Sequence, residues 1–215
     1  TSTAPVPITG AVVSLPRRVF GTLLVLATLF LIFAGAQVKS HEAGLSVPDW
    51  PVSYGSPMPP MEGGIFFEHG HRMVAAAVGF LTIVLAVWTQ RRDSRSWVRQ
   101  LGWLALLAVV AQGVLGGLTV IYRLPAALSM SHGTLAQLFL CLVAWIAYGS
   151  SAEWSRASAE ASTADRSTST RKRTDATWNA VRLALVAVFV QLVLGTWVRH
   201  SEAGLAVPFF PLSAE

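Results

Sequence analysis

The chain of 215 residues contains a single cysteine, Cys141. No disulfide can form within it, and a Cys/His zinc spacing is missing. Cys141 falls midway along an apolar run, where a small buried residue is the plain reading. Charge is also scarce, at 13% of residues. There is no P-loop, no GxGxxG after a strand and no Ser-His-Asp constellation, which removes the common phosphate cradles and triad hydrolases. The net charge of +5 and pI near 10.1 come without a basic stripe interleaved with aromatics, so nucleic acid is not an expected partner. A cleavable signal peptide is not expected, because the first apolar run is long enough to span a bilayer and no small-residue cleavage site follows it. An Arg- and Ser-rich transit peptide is lacking too.

What the chain has is apolar length. Hydrophobic residues make up 53% of it, a membrane composition. The windows free of charge are Val19–Val38, Met73–Gln90, Gln100–Tyr122, Leu124–Ala152 and Leu183–Val198, the last extended by Trp178 to Val181 with Arg182 able to snorkel. About 20 apolar residues cross the hydrocarbon core, so five transmembrane helices are expected. Twelve of the 16 Lys+Arg fall on one side in this topology: Arg17, Arg18, Arg91, Arg92, Arg95, Arg99, Arg156, Arg166, Arg171, Lys172, Arg173 and Arg182. The positive-inside rule then puts the N-terminus in the cytoplasm.

All five histidines (His41, His69, His71, His132, His200) fall on the opposite, outer side, with Glu42, Asp49, Glu62, Glu68 and Glu202. The outer loop 39–67 is long and rich in Pro and Gly, and contains AGLSVPDWP at 43–51. A loop of that length usually has a role, as a lid or as an ordered cap on helix ends. Residues 150–177 are rich in Ser, Ala and Thr and read as a flexible cytoplasmic linker. A repeat is visible: VKSHEAGLSVPDWP at 38–51 returns as VRHSEAGLAVPFFP at 198–211, with Glu42 and Glu202 in one column. Four helices separate the copies, so the repeat is parallel. The expected organisation is a cytoplasmic tail 1–18, a four-helix transmembrane unit 19–149, the linker 150–177, and at 178–215 the first helix and partial outer loop of a second, repeated unit cut short at Glu215. The same offset places partners of His71 and His132 near positions 231 and 292.

Glu68, His71 and Arg72 share one face if the second helix begins early enough. Ionisable groups at a bilayer edge are functional candidates. His132 opens the fourth helix at similar depth, and helices 2 and 4 can be neighbours in a four-helix unit. Two histidines from different helices suit the axial positions of a haem iron. Arg72 can pair with a propionate, and Glu68 can handle protons beside the cofactor. The plain alternative is a helix-end ion pair of Glu68 and Arg72 with His71 as an interfacial residue. Gly113 and Gly117 form a GxxxG for close helix packing. Gln112 and Gln191 can line a cavity or bridge helices. Trp50 can cap a cofactor edge or anchor at the interface, the latter being the default.

Glu68-x-x-His71-Arg72, the lone His132, the AGLSVPDWP loop and the repeat together resemble the haem A synthase family, over the N-terminal half of a typical member. The resemblance implies an eight-helix enzyme of bacterial or mitochondrial inner membranes, here the bacterial cytoplasmic (inner) membrane, that oxidises the C8 methyl of haem O to the formyl of haem A for cytochrome oxidase assembly. It implies His71 and His132 at the iron of the substrate haem, Glu68 as the required carboxylate beside it, and a haem b on the C-terminal histidine pair. That pair is missing here, so the chain alone is expected to be inactive. The outer loop lacks the cysteine pair of some members, and Phe209-Phe210 stands where the first copy has Asp49-Trp50. A haem O synthase, an electron donor and a second copy of the chain are the further partners to consider. The alternative function is a cytochrome b-type membrane electron carrier without substrate chemistry, and a third is a haem-free scaffold.

Overall fold

The computed structural model describes residues 15–163 and 168–200. They form six helices: α1 (Leu15–Ser40), α2 (Gly63–Arg92), α3 (Ser96–Ile121), α4 (Ala126–Gly149), α5 (Ala152–Thr163) and α6 (Thr168–His200). No strand occurs among the described residues, apart from an isolated bridge between Ser53 and Ser56 in the α1–α2 loop. α1 to α4, and Thr177–Arg199 within α6, are long and apolar enough to cross a membrane. The all-α, multi-pass expectation therefore holds.

The helices outrun the charge-free windows. α2 begins at Gly63, ten residues before Met73, so Glu68, His69, His71 and Arg72 all lie on its first turns. The window stops at Arg72 because it counts charges, whereas the helix continues wherever its charges find partners.

α1 to α4 pack as a ring in chain order, each helix against its two neighbours, with α4 closing on α1. α2 and α4 are diagonal rather than adjacent, which corrects the expectation that they are neighbours. The two short connections and the antiparallel runs favour this arrangement for four consecutive helices. The core is Leu24, Val78, Leu85, Val98, Ala105, Phe139, Val143 and Ile146. Its members recur at seven-residue spacing, as Val78–Leu85, Val98–Ala105 and Phe139–Ile146, so each helix turns one stripe inward. The outward face carries Leu26, Phe30, Phe33, Phe80, Ile83, Leu107 and Val110, all exposed, as lipid contact requires.

One end of the bundle is closed by arginines. Asp93, in the α2–α3 turn, is buried. It pairs with Arg17 at 2.6 Å and Arg95 at 2.8 Å. Arg95 also donates to the Gly149 carbonyl at the end of α4 (2.6 Å), so three helix ends meet on one carboxylate. Burial alone would push the Asp93 carboxyl up, but hydrogen bonds from Arg95 and the charges of Arg17 and Arg95 hold it below the usual carboxylate range.

The stretch read as a linker is helical where described. Its alanines favour helix, and Trp154 of α5 packs among Trp97, Trp145 and Tyr148. α6 meets the bundle at α4, where Thr196 lies opposite Gly133. The second copy of the repeat loop, with Glu202, Phe209 and Phe210, lies outside the described residues.

Candidate functional site

At the other end, the loop end, the inward stripes change character. His71 falls seven residues before Val78, and His132 seven before Phe139, so both histidines continue core stripes. Each ring lies over a glycine of the neighbouring helix. A Cβ on Gly35 of α1 would stand 3.0 Å from His71 Cε1, and a Cβ on Gly116 of α3 would stand 3.2 Å from His132 Cε1. Both distances are tighter than an ordinary contact, so glycine at these positions gives an imidazole room between helices. The Nδ1 of each histidine is enclosed without a hydrogen-bond partner. The carbonyls of Leu31 and Gln112, one turn before the two glycines, are the backbone acceptors facing His71 and His132, each short of a formed hydrogen bond.

Glu68 and Arg72 pair with each other and turn to the loop. Glu68 is 4% exposed. One of its carboxylate oxygens accepts from Arg72 at 2.7 Å and the other from the Val47 amide at 2.7 Å. Arg72 donates further to the carbonyls of Asp49 (2.8 Å), Val52 (3.0 Å) and Val47 (3.1 Å). Both terminal nitrogens of the guanidinium are thus engaged, and a propionate would have to displace one of these oxygens. Val47 and Ala43 are fully buried, so the loop is an ordered layer. Asp49 accepts from the amides of Gly55 and Tyr54 (2.9 and 2.7 Å), which hold its carboxyl below the usual range.

The loop also reaches α3. A Cβ on Gly117 would fall 2.5 Å from the Trp50 indole, and one on Gly44 would fall 3.1 Å from Leu124 in the α3–α4 turn. Trp50 therefore rests on the residue beside the His132 seat. Gly117 makes this loop contact in place of the close helix packing read from its GxxxG, and a Cβ on Gly113 would meet nothing within 4 Å.

The other histidines separate. His69 is buried, with Nδ1 at 2.8 Å from Ser53 Oγ. His41 stacks on Phe67 with ring centroids 3.8 Å apart. The side chain of His200 lies outside the described residues. Sequence reasoning missed Gly35, Gly116 and the Val47 amide. Gly35 carries a usable signal, since Gly195 of α6 stands in the same column of the repeat; in the structure Gly195 faces open space.

Residues 18–215 match the profile of a family described as cytochrome oxidase assembly protein, COX15-CtaA. The chain belongs to this family. Among curated relatives it is similar to a haem A synthase of Symbiobacterium thermophilum, 30% identical over 192 residues that cover 86% of this chain and 59% of that protein. A haem A synthase of Shewanella oneidensis is 28% identical over 213 residues, covering 86% and 57%. One of Halalkalibacterium halodurans is 29% identical over 131 residues, covering 59% and 43%. The chain spans roughly half the length of these three relatives. No solved structure matches this COX15-CtaA chain.

Proposed function

We propose that this chain is the N-terminal part of a haem A synthase, and that its four-helix unit binds haem O between His71 and His132. The observation that carries this is the pair of imidazoles, each seated on a glycine of the adjacent helix and each with an enclosed, unpartnered Nδ1. Buried polar groups without partners are rare in proteins, and metal-bound imidazoles turn one nitrogen to the iron and the other to an outer partner. The cradle and the donor chemistry both fit a haem that the two histidines would hold.

In this reading the haem, when bound, would supply the iron centre and the C8 methyl, whose conversion to formyl takes an oxygen atom from water or dioxygen and needs an external oxidant to take up the electrons. The protein's residues supply position and exclusion of water. His71 and His132 would hold the haem iron. Glu68, one turn from His71, is the carboxylate beside the reacting edge, held by Arg72 and the Val47 amide. Arg72 serves the haem through the loop, which it fastens over the site by three carbonyls. Trp50 on Gly117 closes the α3 side. The arginine end faces the cytoplasm and the haem site the outer side of a bacterial cytoplasmic membrane. α6 is the first helix of a second four-helix unit, where a haem b would sit. Haem O synthase as supplier and an electron-transfer partner complete the scheme.

The test is visible spectroscopy of the purified chain supplied with haem, beside His71→Ala and His132→Ala. The expected result is a low-spin bis-histidine spectrum that both substitutions abolish. Haem indifferent to both would remove the reading. Glu68→Gln separates synthase from electron carrier: a carrier keeps its spectrum and its electron transfer, whereas a synthase reassembled with its C-terminal part loses turnover.

A further inference from the structure

Two polar side chains lie on the inward stripe of α3: Thr119, whose hydroxyl donates to the Gly116 carbonyl of its own helix (2.6 Å), and Gln112, which the haem site described above does not use. Val98, Ala105, Gln112 and Thr119 follow one another at seven-residue spacing, and Val98, Ala105 and Thr119 are buried. Gln112 therefore faces the bundle, one turn before Gly116. Its Oε1 is enclosed and has no hydrogen-bond partner. The corresponding place on α1, one turn before Gly35, is Leu31. The two flanks of the site thus differ at this depth, apolar beside His71 and amide beside His132.

An unpartnered amide oxygen inside a hydrocarbon-embedded bundle is costly. Such a group is explained by a ligand atom that completes it. Gln112 lies about 6 Å deeper than Gly116, four residues at the helical rise. The charged propionates of a haem belong at the polar loop end, since burying them toward the core would cost more. The opposite edge of the macrocycle then faces Gln112. In haem O that edge carries the hydroxyl of its hydroxyalkyl side chain, where protohaem has a vinyl. A hydroxyl both donates and accepts, so it satisfies the amide in either orientation of its O and N.

We propose that Gln112 is the specificity residue that recognises this hydroxyl and so selects haem O over protohaem. The inference rests on the haem site proposed above. Sites built to hydrogen-bond a hydroxyl discriminate strongly against the analogue lacking it.

The experiment titrates the purified full chain in detergent with haem O and, separately, with protohaem. Wild type is compared with Gln112→Met and Gln112→Leu, following the Soret band, and the thermal stability of the haem-free proteins is recorded. The expected result is roughly tenfold weaker haem O binding in the variants, unchanged protohaem binding, and haem-free stability equal to or above wild type. Equal loss for both haems, no loss for either, or a drop in haem-free stability showing that Gln112 bridges helices would each overturn it. Failure of the underlying site is a different result: binding of both haems would then be indifferent to His71→Ala and His132→Ala.

Discussion

His71 and Gly35 pack closely across two helices: a Cβ added to the glycine would stand 3.0 Å from the imidazole Cε1, so that a side chain there would press on the ring. His132 and Gly116 repeat the relationship at 3.2 Å. Alanine in a helix ordinarily gains about 0.5–1 kcal/mol over glycine. Gly79, which has nothing within 4 Å of an added Cβ, should show that gain as a modest rise in thermal stability when changed to alanine. Gly35→Ala and Gly116→Ala should not, because the added methyl pushes the ring. The expected outcome is a shifted or weakened low-spin haem spectrum in both, with Gly79→Ala spectrally silent.

The Glu68–Arg72 pair should govern the loop. Removing Arg72 leaves a buried carboxylate with only the Val47 amide, and breaking a buried pair in this way costs about 3–5 kcal/mol. Arg72→Ala should therefore lower the unfolding temperature and open residues 43–56 to protease. Arg72→Lys should restore the charge but not the loop, because one ammonium cannot hold the spread of carbonyls that a planar guanidinium reaches. Glu68→Gln should fall between, keeping an acceptor for Val47 while losing the ion pair. Proteolysis rates and melting curves of the three variants check this ordering.

Much of this arrangement is legible in the amino-acid sequence. Apolar windows bounded by charge mark each spanning helix, because a bilayer admits few other patterns. Glu68, His71, Arg72 and His132 stand out because ionisable groups at a membrane edge are conspicuous. Two features are hidden. The start of α2 lies beyond a window that ends at Arg72, since the partners that let those charges ride on a helix come from a loop 20 to 25 residues away. The glycine seats are hidden because a histidine of one helix and a glycine of the next are related only through packing. The diagonal placement of α2 and α4 is likewise a property of the closed ring, not of any one span.

Trp50 and Gly117 should behave as a coupled pair. Gly117→Ala would place a methyl 2.5 Å from the indole, with no space for both. It should displace Trp50, change its fluorescence and loosen the loop over α3. Trp50→Ala should remove the conflict, so that adding Gly117→Ala to it costs little. A double-mutant cycle on melting temperature is expected to show non-additivity of the size seen for residues in direct contact, about 0.5–3 kcal/mol. Additive effects would mean that the two do not touch.

At the other end of the bundle Asp93 gives a pH dependence whose sign is fixed by its surroundings. Its carboxyl sits below the usual range in the folded protein because of Arg95 and Arg17. Protons therefore bind the unfolded chain first, and the stabilisation is present above the unfolded value near 3.9 and lost as pH falls through the lower folded value. Asp93→Asn removes the titrating group and leaves Arg17, itself buried, without its counter-charge. The variant should melt at a lower temperature at neutral pH. The gap between wild type and variant should close as pH falls from about 5 toward about 3, because the wild type loses in acid what the variant already lacks. Melting curves across that range, recorded in one detergent, decide the matter: a gap that stays constant would mean that Asp93 stabilises the helix ends without its charge.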